Sequence, residues 1–310
     1  MLPPLRTPAL ERNDRAPDGG VTVFGESAPF QVGRHRHPVW KVVLPLGGHA
    51  WLRPDTGASV TAAGLIVPPE FAHTCGVTSG YVALFIDPTL IRPGLDPVAL
   101  EPATVRRLHA ALSSALSSAL SSALSSTLSS TLSSTLSSTL SSTLSSAATD
   151  DRAERAATGL PAGPVTRDAA AGFLAGPLAL GDAASDFLAE LAARTGAPSL
   201  DPRVAYAVRR GLLGEAPAVI AADVGLSMPR LRALVRAAVG VPLVRLRRWG
   251  RLRVAVSALP GGSVASAAAE AGFADQAHLA RTARELLGRT PGSLRKYGCG
   301  AGSGGVSCIG

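Results

Sequence analysis

The sequence contains few cysteines and no long hydrophobic run. Its three cysteines, Cys75, Cys299 and Cys308, fit neither a disulfide framework nor the ligand spacing of a metal motif. No uninterrupted apolar stretch reaches the roughly 18 residues of a membrane-spanning helix, and residues 1–15 lack the apolar segment of a signal peptide. We therefore expect neither a disulfide-stabilised domain nor a membrane protein, and we place the chain in the cytoplasm.

Aromatic residues are also scarce, at 4% of the chain against 46% hydrophobic residues. Most of the apolar residues are Ala, Leu and Val, which favours helices packed through small side chains over an aromatic-rich sandwich. With 310 residues, the chain is longer than one compact domain usually is. Two domains are therefore expected.

Positive charge is concentrated in the last third of the chain. Residues 1–111 carry 10 basic and 9 acidic residues, residues 112–200 carry 4 and 7, and residues 201–310 carry 16 and 6. The corresponding net charges are +1, −3 and +10, which together give the +8 of the whole chain. This asymmetry is typical of a protein in which one domain contacts nucleic acid and another does not.

A tandem repeat separates the two halves. In residues 112–146 the unit Leu-Ser-Ser-Ala or Leu-Ser-Ser-Thr places a leucine at every fourth position. Four residues advance a helix by about 400°, so the leucines drift around the axis and form no fixed apolar face. We interpret residues 112–199 as a low-complexity linker with connecting helices. A helix that contributes to dimerisation is the alternative.

The two halves differ in their predicted secondary structure. Residues 21–24, 40–46, 64–67 and 81–86 are short segments rich in Val, Ile or aromatic residues and separated by turn residues, which predicts strands. After residue 200 the apolar positions follow a helical period. A β domain followed by an all-α domain is therefore predicted.

The all-α part contains two similar helix-turn-helix patterns. In the first, an alanine-rich helix leads to Gly225, and Ser227 is the expected N-cap of a basic second helix. In the second, Gly272 occupies the turn and Asp275 is the expected N-cap. A long arginine-rich helix at residues 242–259 joins them. Two such units around one helix are a far more specific signal than either unit alone.

These units resemble the DNA-binding domain of the AraC/XylS family of bacterial transcription regulators. The resemblance rests on GLSMPRLRALVRAAVGVPLVRLRRWGRLRVA and on AAAEAGFADQAHLARTARELLGRTPGSLRK, and it covers about residues 202–297. The family usually has an aromatic residue where this chain has Val235 and Ala283. Both positions are expected in the core, so these departures bear on packing more than on DNA binding.

The resemblance implies that the second helix of each unit enters the major groove, on successive turns of one face of the duplex. By motif position, the residues expected to contact bases are Met228, Pro229, Arg230, Arg232, Gln276, Ala277, His278 and Arg281. Arginine prefers guanine and glutamine prefers adenine, whereas His278 is alternatively a packing residue. The residues expected to contact phosphate or solvent are Arg245, Arg247, Arg248, Arg251 and Arg253.

The amino-terminal third resembles the cupin barrel that many AraC-type regulators carry as an effector-sensing module. The resemblance rests on GRHRHP at residues 33–38, GLIVPP at residues 64–69, and His73. On one strand His35 and His37 would point to the same side, and His73 could complete a three-histidine site of the kind with which cupin enzymes bind iron or other divalent metals.

The glutamate of that cupin ligand set is absent, and Lys41 lies in its region. We therefore predict no metal and no cofactor. The three histidines are interpreted as effector-pocket or structural residues, with a metal site as the alternative.

The predicted fold is multidomain α+β. It comprises a cupin-like β-barrel at residues 1–111, the linker at 112–199, an all-α domain with two helix-turn-helix motifs joined by a long helix at 200–298, and a disordered tail at 299–310. The predicted function is sequence-specific, DNA-binding transcription regulation under a small-molecule effector, without enzymatic activity. A cupin-type metal-dependent enzyme with an appended helical domain is the alternative.

The expected partners follow from that function. They are double-stranded DNA, RNA polymerase, an unidentified effector and a second copy of the chain, with no membrane partner. The expected location is the cytoplasm, in association with the nucleoid.

Overall fold

The computed structural model describes residues 21–26, 28–91, 96–113, 176–177 and 200–295. The chain divides into two compact units, one made of residues 1–112 and 170–310 and the other of residues 113–169. The strands and helices presented below belong to the first unit, apart from Ser113 at the end of one helix. Most of the predicted linker and the whole predicted tail lie outside the described residues.

Ten strands are present in the described part of the chain. They are β1 (Val21–Glu26), β2 (Phe30–His35), β3 (Trp40–Pro45), β4 (Ala50–Pro54), β5 (Val60–Ala62), β6 (Gly64–Val67), β7 (His73–Val77), β8 (Tyr81–Ile86), β9 (Val98–Leu100) and β10 (Gly176–Pro177). They form two antiparallel sheets with the orders β10-β1-β8-β3-β6-β9 and β2-β7-β4-β5. A helix, α1, occupies residues 102–113.

Strand β3 shows how the two faces of the larger sheet are buried. All six of its residues are buried, and successive side chains point to opposite faces. Trp40 and Val42 pack with Leu108 of α1 on one face. Val43 packs in a second cluster together with Leu52 of the smaller sheet. The two sheets therefore enclose a core, and the predicted cupin-like barrel is confirmed.

The carboxy-terminal part is entirely helical in residues 200–295. The helices are α2 (Pro202–Leu212), α3 (Pro217–Asp223), α4 (Met228–Val239), α5 (Leu243–Ala258), α6 (Val264–Glu270), α7 (Gln276–Leu287) and α8 (Pro291–Arg295), with a 3₁₀ turn at Leu259–Gly261. Helices α3 and α4 form the first predicted helix-turn-helix unit, α6 and α7 form the second, and α5 connects them. Both units and the connecting helix are confirmed.

The turn and cap residues of the two units occupy the positions predicted for them. Gly225 and Gly272 have φ angles of +63° and +70°, which glycine adopts without a side-chain clash. Asp275 caps α7, since its Oδ1 accepts a hydrogen bond from the backbone N–H of His278 at 2.6 Å. Ser227 occupies the same position before α4, but its side chain makes no capping hydrogen bond.

The core of the helical part contains the two positions at which the sequence departs from the family pattern. Val235 and Ala283 are both 0% exposed, so the small side chains are accommodated by close packing. On the barrel side, Trp249 of α5 is 3% exposed and its ring lies 4.8 Å from that of Phe85 in β8. Aromatic pairs at this separation add to the stabilisation from burial.

Two aspects of the predicted barrel differ from the structure. Strands β2, β4, β5, β7, β9 and β10 were not predicted. Strands β2, β4 and β7 contain Gly, Pro or charged residues, and β5, β9 and β10 have only two or three residues each. The expectation that His35 and His37 share one strand is wrong. Strand β2 ends at His35, after a register shift that begins at Val32, and His37 lies in the loop that follows.

Candidate nucleic-acid interface and histidine cluster

Helix α4 presents three of its four predicted base-contacting residues to solvent. Pro229, Arg230 and Arg232 are exposed, whereas Met228 is half-buried and packs against the core. Leu231 lies on the opposite face and is 0% exposed. The helix is thus amphipathic, with its apolar face inward and its arginines outward.

Helix α7 presents a comparable outer face. Gln276, Ala277 and Arg281 are exposed, and His278 is half-buried. The ring of His278 meets the ring of Phe273 edge-on, with 5.2 Å between centroids, which fits the packing role left open for this residue. The same face borders an open cleft of about 360 Å³, lined by Arg248, Ala274, Asp275, His278, Arg281, Thr282 and Glu285.

Two arginines of the connecting helix each use one guanidinium nitrogen for a hydrogen bond within the protein. Arg247 Nε donates to the carbonyl of Gly214 at 3.0 Å. Arg251 Nε donates to the carbonyl of Ala271 at 2.9 Å. Because arginines occur on every face of α5 and this helix packs against α2, α6 and α7, some of them had to find partners within the protein.

The remaining arginines of α5 differ in their burial and in their partners. Arg253 donates to the hydroxyl of Thr22 at 2.8 Å, and Arg245 is buried. The predicted phosphate or solvent role is therefore wrong for the buried Arg245, whereas for the half-buried Arg247, Arg251 and Arg253 it stays a prediction. Arg248 keeps 43% of its side chain exposed and lies 3.5 Å from Glu285.

The three predicted histidines of the barrel form one cluster. His35, His37 and His73 are buried, and one ring nitrogen from each lies within 4.8 Å of the others. The ring centroids of His35 and His73 are 4.3 Å apart. The cluster forms even though His37 is not on a strand, because the loop after β2 turns its side chain inward.

Hydrogen bonds determine the tautomer of each ring. The Nδ1 atoms of His35, His37 and His73 lie 2.9, 2.7 and 2.8 Å from the carbonyl oxygens of Gly33, Val39 and Phe71. A carbonyl only accepts, so each Nδ1 carries the hydrogen and donates it. In the neutral ring Nε2 then has an unshared electron pair.

Burial keeps these rings neutral. It lowers the pKa of His35 to about 2 and that of His73 to about 4, and the positive charge of Lys41 acts in the same direction. Burial also lowers the pKa of His37 well below its ordinary value, with the charges of His73 and Lys41 as further causes. All three rings are therefore unprotonated at neutral pH.

The positive charge of Lys41 acts on all three histidines of this cluster. Lys41 is 5% exposed and its Nζ lies 3.9 Å from Cys75 Sγ. It also lies 5.8 and 5.9 Å from the ring centroids of Phe30 and Phe85. The lysine thus occupies the pocket side of β3, where it contributes positive charge rather than a carboxylate ligand.

A group of residues whose mutual contacts the sequence did not predict joins the histidine cluster to the helical part. Arg245 Nε contacts Glu70 Oε1 at 2.7 Å, and its terminal nitrogens reach Glu285 and the carbonyl of Arg36 at 2.9 Å. Glu70 has a φ of +61°, an uncommon conformation for a residue with a side chain. No local motif marks these residues, because their contacts join segments far apart in the chain.

A second ion pair also joins the barrel to the helical part. Arg289, just after α7, pairs with Glu26 of β1 at 2.5 Å, and the Glu26 side chain is 1% exposed. Tyr81 donates its hydroxyl to the other oxygen of Glu26 at 3.1 Å. A buried carboxylate with two partners at this position ties the end of the second helix-turn-helix unit to the barrel.

In the part of the chain that the structure describes, no helix is long and apolar enough to cross a membrane.

Comparisons with known proteins agree with the helical part of this structure. A family model described as a helix-turn-helix domain matches residues 220–297. No curated protein matches the chain.

Several solved structures resemble all or part of the chain. Unsaturated-fatty-acid-bound wild-type ToxT from Vibrio cholerae is 11% identical, with 94% of this chain and 100% of that chain covered and a TM-score of 0.48. An AraC-type DNA-binding domain-containing regulator from Chromobacterium violaceum is 23% identical over 33% of this chain and 96% of its own, with a TM-score of 0.30. The carboxy-terminal domain of AraT from Geobacillus stearothermophilus is 17% identical over 32% and 87%, with a TM-score of 0.29.

The family match begins within α3 and ends just after α8, so it covers the region in which two helix-turn-helix units surround one connecting helix. By this match and this arrangement, residues 220–297 form a helix-turn-helix domain, and the chain is a DNA-binding transcription regulator.

Proposed function

We propose that Arg230 and Arg232 of α4, and Gln276 and Arg281 of α7, contact base edges in two successive major grooves. All four side chains are exposed on helices whose opposite faces are packed. Arginine and glutamine carry the paired donors and acceptors that distinguish guanine and adenine. The observation that carries the proposal is the repetition of helix, positive-φ glycine and outward-facing polar helix on both sides of α5.

The other predicted contact residues take supporting roles in this proposal. Pro229 and Ala277 are exposed and apolar, which suits contact with a thymine methyl group. Met228 and His278 are half-buried. In this proposal they both position the N-terminal ends of α4 and α7 and contact DNA.

The barrel is proposed to sense a small-molecule effector, and the chain to act by binding rather than by catalysis. The ion pairs of Arg245 and Arg289 support effector sensing by the barrel, because they connect the barrel directly to the helix-turn-helix domain. RNA polymerase and a second copy of the chain are further proposed partners. The proposed location is the cytoplasm, at the nucleoid.

A metal-dependent enzyme is the second candidate function. The cluster of His35, His37 and His73 favours it, since three imidazoles with open coordination positions can support metal catalysis. Salt-sensitive, sequence-selective DNA binding distinguishes the two functions, because an enzyme with an appended helical domain has no reason to show it.

The test is selection of bound duplexes from a random pool by the full chain. We expect two short motifs about one helical turn, or roughly 10 base pairs, apart, with affinity that falls steeply as salt rises. The Arg34→Ala variant, which changes an exposed arginine of the barrel, should select the same motifs. Absence of enrichment with the folded chain would contradict the proposal.

A further inference from the structure

The three histidines of the cluster direct the unshared electron pairs of their Nε2 atoms toward one buried point. None of the Nε2 atoms of His35, His37 and His73 has a hydrogen-bond partner among the described residues, and the three residues are 3%, 0% and 0% exposed. A buried acceptor without a partner destabilises the protein, because it has lost its contact with water. Three of them converge here, while their Nδ1–H groups are already used by backbone carbonyls. This arrangement suits a ligand that accepts electron pairs.

We propose that His35, His37 and His73 bind one divalent transition-metal ion through Nε2, and that occupancy of this site is coupled to the helix-turn-helix domain. The second half of the proposal rests on the proposed DNA-binding function. The first half does not.

The donor set selects the class of metal. Three neutral imidazoles, with no carboxylate in the cluster among the described residues, favour Zn²⁺, Ni²⁺, Co²⁺ or Fe²⁺ over Mg²⁺ and Ca²⁺, which require oxygen ligands. Zinc–nitrogen bonds of about 2.0–2.1 Å place the ligands of one ion about 3.3 Å apart. Small rotations of side chains that already lie within 4.8 Å of one another reach that spacing. The carbonyls bonded to Nδ1 supply the outer-shell orientation that metal-binding histidines usually have.

Lys41 sets a second requirement for the site. Its positive charge acts on all three histidines, so it also opposes a metal cation there. Three imidazoles leave at least one coordination position open. An anionic ligand in that position would offset the charges of the metal and the lysine, and small carboxylates are the class of effector that fits.

The coupling runs through the backbone between the ligands. Arg36 separates His35 from His37, and its N–H donates to the carbonyl of Glu285 in α7 at 3.1 Å. Its carbonyl accepts from Arg245 of α5 at 2.9 Å. Glu70, three residues before His73, donates its backbone N–H to the carbonyl of His37 at 2.8 Å and pairs with the same arginine. Movements of the ligand loops are therefore transmitted to both helices.

The first experiment measures metal binding by the full chain after chelator treatment. Titration with CoCl₂ or ZnCl₂ should give one equivalent per chain, and MgCl₂ should give none. His73→Gln should weaken binding by more than about 100-fold, because loss of even an outer-shell partner costs about 10–100-fold. The matched control is His49→Gln, which changes an exposed histidine of the same barrel and should bind normally.

Equal weakening in both variants, or a wild-type chain that binds no metal, would overturn the site. A measurement on the wild-type chain keeps the test valid if His73→Gln does not fold. X-ray absorption of the zinc-loaded protein should show three imidazole ligands, and a spectrum with no histidine scattering would refute the assignment.

The second experiment measures DNA affinity of the full chain with and without ZnCl₂. We expect a change of at least about fivefold, the lower end of common coupling between sites, in wild type and in His49→Gln but not in His73→Gln. Metal binding without this change would refute the coupling alone. A chain that binds metal but no DNA under any condition would instead refute the proposed function.

Discussion

Arg245 of the connecting helix forms an ion pair with Glu70 of the barrel, with 2.7 Å between Nε and Oε1. The same guanidinium pairs with Glu285 of the second helix-turn-helix unit and donates to the backbone of Arg36 between two of the histidines. One side chain thus joins the connecting helix, helix α7 and the loops of the histidine cluster. The arginine stabilises the packing of the two domains instead of contacting DNA.

Arg245→Ala should destabilise the protein by about 2–4 kcal/mol. Removal of one partner from a buried ion pair typically costs about 3–5 kcal/mol, and Glu70 and Glu285 retain part of their solvent contact, which reduces the loss. Urea unfolding of the full chain measures the change. Arg34→Ala is the control: its pair with Asp55 is exposed at 67% and 40%, so its removal should cost far less than the loss of Arg245. Equal losses in both variants would contradict the role of Arg245.

Gly288→Ala should be more destabilising than Gly225→Ala. Both glycines have positive φ, at +68° and +63°, so both substitutions incur a backbone cost of about 1–2 kcal/mol. A Cβ on Gly288 would lie 2.6 Å from the carbonyl of Gly33 and 3.0 Å from His35 Nδ1, whereas a Cβ on Gly225 meets nothing within 4 Å. Thermal unfolding should show the larger loss for Gly288→Ala. A loss no greater than that of Gly225→Ala would show that α7 does not approach β2 this closely.

The helical part was largely predictable from local patterns. The positive-φ glycines Gly225 and Gly272, the cap Asp275 and the inward stripe around Leu279 each depend on neighbouring residues in the chain. Such features follow from helical periodicity and turn chemistry, which a single sequence displays. The cluster of three histidines was also foreseen as a set, although its strand geometry was not.

The contacts that join the two domains were not predictable in this way. Arg245 and Glu70 are separated by 175 positions, and no local pattern distinguishes this arginine from its neighbours on α5. Strand β2 was missed for a related reason. Its sequence, FQVGRH, has glycine and arginine on the outward side, and only pairing with β7 makes it a strand.

Asp275→Ala should destabilise α7 by about 1 kcal/mol, the usual cost of losing a side-chain cap. Its carboxylate accepts a hydrogen bond from the His278 N–H, and a negative charge at this end also favours the helix dipole. Ser227→Ala is the matched control: Ser227 occupies the N-cap of α4 without a capping bond, so this substitution should cost less than Asp275→Ala. Urea unfolding of both variants compares them, and a larger loss at Ser227 would contradict the cap assignment.

The central claim is that both helix-turn-helix units contact bases. Its most direct test repeats the duplex selection with the full-length variants Arg232→Ala, Arg281→Ala and Arg284→Ala. Arg232 and Arg281 are exposed on α4 and α7, and Arg284 is exposed one turn after Arg281. Each of the first two variants should lose about 1–3 kcal/mol on the preferred site and relax base choice in a different one of the two motifs.

Arg284→Ala should retain both motifs and weaken all sites by a similar factor. If Arg232→Ala and Arg281→Ala relax the same motif, or if neither changes base preference, the two units do not both contact bases and the account is wrong.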